Sequence, residues 1–181
     1  MADINPVAAM TLIETTFFGA NYFRVGSLQF VDSLGIGQPG PPPNPYYVSS
    51  ITHTQAYGSG AVNNPNGLIG SSNDGSYVQL WGGNPNDGGQ IVGWMSQTAH
   101  GHVYLYGHSG PGYYTHLYVW VSYNNNGDWG NPISVQTVSG TNDRWIDCNT
   151  PSGNFRYIAI VGIDDNGMSA NIFIDSVKVQ P

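Results

Sequence analysis

The sequence predicts an all-β protein, a sandwich or barrel of short antiparallel strands, on three observations. Apolar residues rarely recur at i, i+3, i+4 and i+7, so no helical segment is convincing. Gly (25 residues), Pro (12 residues) and Asn-Gly pairs punctuate the chain throughout. Between them lie short runs rich in Val, Ile, Tyr and Phe that alternate apolar with polar positions.

In chain order, strands are expected at 11–18 and 23–31, ahead of the low-complexity stretch 35–45, Gly-Ile-Gly-Gln-Pro-Gly-Pro-Pro-Pro-Asn-Pro. Proline fixes φ and lacks a backbone donor, so that stretch cannot enter a sheet interior. Because 11–31 is too short to hold a core of its own, 35–45 reads as a surface loop rather than a linker. Further strands are expected at 47–53, 77–80, 90–97, 102–106, 116–123, 133–138, 144–148, 155–162 and 172–179. Asn64-Pro65-Asn66-Gly67 and Asn84-Pro85-Asn86-Asp87-Gly88 are strong turn sequences rather than a repeat. The 181 residues fit one domain: N-terminal strands in 1–34, the loop 35–45 and a main body from 46 to 181.

Only 8% of the chain is charged, against about 25% in an average soluble protein. Solubility therefore rests on Asn, Ser, Thr, Gln and Gly. Four basic residues against eleven acidic ones give a net charge of −7. That balance excludes electrostatic nucleic-acid binding, which needs Lys and Arg to replace phosphate counterions, and a polybasic membrane-surface role. No stretch approaches the length of an apolar membrane span. The opening Met1-Ala2-Asp3-Ile4-Asn5-Pro6 is not expected to act as a signal peptide, having no basic residue and a proline in its apolar run. Cys148 is the single cysteine, so no intramolecular disulfide can form. The composition suits an extracellular or cell-surface domain numbered without its export signal.

Three stretches carry a family likeness. The first is Gly70-Ser-Ser-Asn-Asp74-Gly75-Ser-Tyr77-Val-Gln-Leu80, followed by Gly88-Gly89-Gln90-Ile91-Val92. The second is 116–123 (His-Leu-Tyr-Val-Trp-Val-Ser-Tyr), the turn Gly127-Asp128-Trp129 and 155–160 (Phe-Arg-Tyr-Ile-Ala-Ile). The third is 172–179, Ile-Phe-Ile-Asp-Ser-Val-Lys-Val. In this order they resemble the galactose-binding-domain-like jelly rolls, over about residues 61–179. The chain departs from the pattern at Asn73, where proline is expected, and in the insert 107–112. The resemblance implies a jelly-roll β-sandwich of two antiparallel sheets, commonly a carbohydrate-binding or surface-attachment module, often with a structural calcium ion. Fold analogy does not establish function, so the residues are weighed on their own.

Catalysis is not expected. Cys148 sits in a strand-like segment, where a lone cysteine behaves as a small buried hydrophobe. Asp164 and Asp165 are adjacent, so strand alternation would point them to opposite faces. No nucleophile elbow, phosphate loop or zinc-protease signature is present. His100, His102 and His108 lack the Cys or nearby carboxylate that would complete a zinc site. Calcium has better candidates in Asp175 and Asp74, since it takes carboxylate and backbone oxygens. Alternation over 172–179 places Phe173, Asp175, Val177 and Val179 on one face, and an inward carboxylate needs hydrogen bonds or a cation.

Sugar binding needs flat aromatic faces and amide groups. Tyr104 and Tyr106 share one strand face, as do Tyr118 and Trp120, extended by His102 and His116. The opposite faces, Val103 and Leu105 or Leu117, Val119 and Val121, are aliphatic and suit a core. If 102–106 and 116–123 pair as a hairpin, the two rows merge into one patch. Trp81, Tyr113 and Trp129 are loop aromatics within reach of a ligand. The expected partner is a glycan or polysaccharide. The alternative is a self-associating surface protein (a sheath, filament or adhesion unit) that binds copies of itself through edge strands and the apolar run 7–18.

Overall fold

The computed structural model describes residues 45–181, apart from 72–73, 85, 126–128 and 164–169. The expected strands at 11–18 and 23–31, all but the last residue of the Pro-rich loop, the run 7–18 and Asp164-Asp165 lie outside the described residues. The strands are β1 (Tyr46–Tyr47), β2 (Ser50–Tyr57), β3 (Ala61–Asn63), β4 (Val78–Gly82), β5 (Gly88–Ala99), β6 (His102–Ser109), β7 (Tyr114–Ser122), β8 (Ser134–Ser139), β9 (Arg144–Asp147), β10 (Phe155–Ile163) and β11 (Ala170–Gln180). Among the described residues a single 3-10 turn, Pro65–Leu68, interrupts them.

They form two antiparallel sheets. One is six-stranded, in the order β9-β6-β11-β4-β3 with β1 also on β11; the other is five-stranded, in the order β2-β5-β10-β7-β8. Each sheet turns an aliphatic face inward, and Leu80, Leu105, Val177 and Val179 of the first meet Ile91, Leu117, Val119, Ile158 and Ile160 of the second in one core. This is the expected jelly-roll β-sandwich. Cys148 lies in that core, fully buried, and burial pushes its thiol up to about 12, so the described structure gives it no nucleophilic character.

The expected pairing of 102–106 with 116–123 does not occur. β6 belongs to the six-stranded sheet and β7 to the five-stranded one, so the Gly110–Tyr113 connection crosses from sheet to sheet. The physical reason is the core itself: Val103 and Leu105 of β6 and Leu117 and Val119 of β7 bury against each other across the sandwich rather than side by side. The aromatic rows behind them consequently point to opposite sides of the molecule.

The face assignment within 172–179 is also corrected. Ile172 and Ile174 point into the core while Phe173 points out, and then the register against β6 slips between Ile174 and Ser176. The slip inserts Asp175 as a bulge residue and reverses the alternation, so that Val177 and Val179 face inward and Lys178 outward. Opposite the bulge stands Gly107, where an added Cβ would lie 2.1 Å from the Phe173 carbonyl oxygen. Only glycine lets β6 and β11 approach this closely.

Candidate functional site

The outer side of the five-stranded sheet carries a hollow of about 380 Å³ lined by Tyr57, Gln90, Trp120, Trp129, Gly130, Ala159 and Val161. The ladder places these residues. Ala159 of β10 lies opposite Trp120 of β7, and Val161 lies between Tyr118 of β7 and Gln90 of β5. Since Ile158 and Ile160 fill the core, the alternating Ala159 and Val161 must face out, where they form a floor. The floor residues are small, and the hollow exists because of it.

Trp120 and Trp129 are aromatic walls, with Tyr118 stacked beside Trp120 at 5.9 Å between ring centroids and 20° between planes. Tyr57 closes the far side, its hydroxyl donating to Gln90 Oε1 and its ionisation pushed up by burial. That bond engages Gln90 Oε1, while Nε2 is the amide's donor end. None of the described lining residues is charged. The hollow can therefore pack the C–H face of a flat, neutral, hydroxylated molecule and hydrogen-bond its edge.

Of the expected ligand residues, the fold brings Trp120, Trp129 and Tyr118 together. Tyr104 and Tyr106 lie on the opposite outer face, that of the six-stranded sheet. Trp81 stands on β4 of the same sheet, opposite Asn171 of β11. Tyr113 belongs to the β6–β7 connection, its N–H donating to Gly110 O at 3.1 Å. Neither Trp81 nor Tyr113 lines the hollow. Sequence reasoning missed Tyr57 and Gln90: β2 is a polar edge strand whose Thr52, Thr54 and Gln55 hide its alternation, so its expected end fell short of Tyr57.

On the six-stranded sheet, His102 Nε2 lies 2.6 Å from Asp147 Oδ1 and His102 Nδ1 lies 2.7 Å from Thr150 Oγ1. His108 Nδ1 lies 2.7 Å from Asp143 Oδ1, while Tyr77 donates to Asp143 Oδ2 at 2.7 Å. These bonds lower the Asp143 carboxyl against the burial that raises it, and raise Tyr77 to about 12. Asp147 is lowered, first by the Asn149 backbone N–H and then by His102.

The calcium candidates do not come together as a carboxylate cage. Asp175 is buried at the bulge, whereas Asp74 is exposed and its Oδ1 accepts the Ser76 N–H at 2.8 Å as a turn brace. Among the described residues no group of three or more His, Cys, Asp or Glu is arranged to hold a metal ion.

The fold is a jelly-roll β-sandwich with a recessed aromatic surface on its five-stranded sheet. No family model matches the sequence, and no curated protein matches it. Solved structures do match. Truncated AlyQ with CBM32 and alginate lyase domains is 15% identical, with a TM-score of 0.50 over 77% of this chain. This chain spans only 34% of that longer one. The CBM32 of AlyQ in complex with 4,5-unsaturated mannuronic acid is 14% identical, with a TM-score of 0.49 over 73% of this chain and 96% of that one. A pectin binding carbohydrate binding module is 10% identical, with a TM-score of 0.49 over 74% and 92% of the two chains. At such identities the likeness is one of fold.

Proposed function

We propose that this chain is a non-catalytic carbohydrate-binding module of a secreted or cell-surface protein, and that it takes neutral sugar residues in the hollow on the five-stranded sheet. The observation that carries the reading is the hollow itself: two tryptophans and a tyrosine around an alanine-valine floor, with a braced glutamine amide and no charge among the described lining residues. Aromatic rings offer the apolar surface that a pyranose needs on its C–H face, and the amide serves the hydroxyls. A charged sugar would gain nothing there. The −7 net charge of the chain further disfavours acidic glycans at a surface that offers no cation. The shared fold supports the reading, since the AlyQ chain of the same fold includes a CBM32 domain. A low charge content and an Asn- and Gly-rich surface suit an extracellular setting.

The test is a glycan array followed by isothermal titration with neutral oligosaccharides. Binding that disappears in Trp120→Ala is the expected result. Absence of binding across plant, microbial and host neutral glycans would overturn the reading.

A further inference from the structure

The outer face of the six-stranded sheet is built differently from the hollow. Across three strands, Asp147 of β9, Tyr104 of β6 and Lys178 of β11 lie in one row, and Trp145 pairs with Tyr106 in the next. The Lys178 ammonium sits 5.3 Å from the Tyr104 ring centroid and 4.3 Å from that of Trp145. Tyr106 leans on Trp145 with centroids 4.9 Å apart. Trp145 is 38% exposed, and the tyrosines and Lys178 are half-buried.

The charges on this face are distributed unevenly. The two carboxylates near its ends already have partners, Asp147 with His102 and Asp143 with His108 and Tyr77. Lys178 makes neither an ion pair nor a hydrogen bond among the described residues, and its ammonium lies against the two rings. Eleven acids outnumber four bases in this chain, so a cation that forms no ion pair among the described residues is notable. The rings restrain the ammonium from above and the side while leaving donors for an anion.

We propose that this face is a second carbohydrate site, distinct from the hollow, that takes a carboxylate-bearing pyranose of an acidic polysaccharide. The sugar's C–H face would rest on the exposed surface of Trp145 and Tyr106, and its carboxylate would accept from Lys178 Nζ. Both halves of the recognition are required. A bare anion or an acidic peptide would use the lysine but not the flat aromatic surface. A neutral sugar would use the rings but leave the cation unserved. Charge-assisted hydrogen bonding is stronger than its neutral equivalent, so the carboxylate sets the preference.

The probes are oligogalacturonate and its fully methyl-esterified form, which keeps the ring and removes the charge. Calorimetric titration of the whole chain should show binding of the free acid, weaker by about tenfold for the ester and for Lys178→Gln. Lys178→Arg should retain it, Trp145→Ala should lose it, and Trp120→Ala should leave it unchanged. That last arm separates this site from the hollow, whose neutral ligands should in turn be indifferent to Lys178→Gln. Melting curves establish that each variant folds, and if Lys178→Gln does not, Trp145→Ala on the edge strand carries the test. The proposal is overturned if wild type takes up no free acid at millimolar concentration, if acid and ester bind equally, or if Lys178→Gln binds as wild type does. It is also overturned if Lys178→Gln abolishes a concentration-dependent self-association seen by light scattering, because the occupant is then a second copy.

Discussion

Replacing Trp120 by alanine should weaken neutral-sugar binding with little loss of stability, whereas replacing its neighbour Val119 should lower the melting temperature and leave binding intact. Val119 is fully buried in the core between the sheets. Its truncation removes two methyl groups, about 0.8 kcal/mol each in transfer, and adds a cavity, for about 2–3 kcal/mol in all. At about 3 °C per kcal/mol for a domain of this size, the melting temperature should fall by about 6–9 °C. Trp120 stands on the outer face over Ala159, partly exposed and stacked on Tyr118. A sugar ring that buries about 80 Å² of apolar surface on it gains about 2 kcal/mol at about 25 cal/mol per Å², or about thirtyfold in Kd. Differential scanning calorimetry of both variants, with titration of the best neutral oligosaccharide, measures the two effects side by side. If Trp120→Ala melts lower than Val119→Ala, the tryptophan is structural. If it still binds sugar at the wild-type Kd, the hollow is not the site.

Further outcomes follow from the same geometry. Ala159→Leu should fill the hollow and abolish neutral-sugar binding, which titration checks. Gly107→Ala should destabilise by at least about 2 kcal/mol, because its Cβ would meet the Phe173 carbonyl oxygen at 2.1 Å and the backbone has to shift; chemical denaturation measures it. With its thiol pushed up to about 12 by burial, Cys148 should resist a thiol reagent at mildly alkaline pH in the native state and react at once in denaturant. Asp143 is held below its ordinary carboxylate value in the folded state, so its stabilisation is present above that ordinary value and lost as pH falls through the lowered one. Asp143→Asn should therefore flatten the loss of stability in acid below about pH 4, read from melting curves against pH. A calcium ion on Asp175 would show as a melting temperature several degrees lower in chelator, a dependence that Asp175→Asn removes; an unchanged curve in chelator excludes it.

The sandwich was legible because its strands carry the signal that period-two alternation leaves in a sequence. Val103 and Leu105 against Tyr104 and Tyr106, and Leu117 and Val119 against Tyr118 and Trp120, separate core from surface without reference to register. Which sheet each strand joins was not legible. A short connection such as Gly110–Tyr113 can close a hairpin or cross the sandwich, and the choice depends on how the aliphatic faces pack at long range. The bulge at Asp175 was hidden for a related reason. One inserted residue reverses every later position, and nothing in Phe173-Ile174-Asp175-Ser176 marks where the slip occurs. The Tyr57 side of the hollow was hidden by polarity, since an edge strand exposed on its outer face needs few apolar residues. Trp145, expected only as part of a strand, became a surface aromatic once β9 took the edge of its sheet beside β6.

The division of the aromatic rows between two faces has a functional consequence that a single merged platform would not have. The hollow rests on β10 and β7, and the Lys178 platform on β6, β9 and β11; between them lies one packed aliphatic core. A close-packed core transmits strain poorly unless an element has two arrangements, and neither face requires one to move. Ligands on the two faces should therefore bind independently, with no coupling free energy, and one polysaccharide strand cannot lie flat on both. Two different strands can, one on each side. On the two proposed assignments those strands would be unlike: a neutral one against Trp120 and Trp129, an acidic one against Trp145 and Lys178. A module built this way gains avidity where neutral and acidic polysaccharides are mixed, because each bound strand holds it near the other.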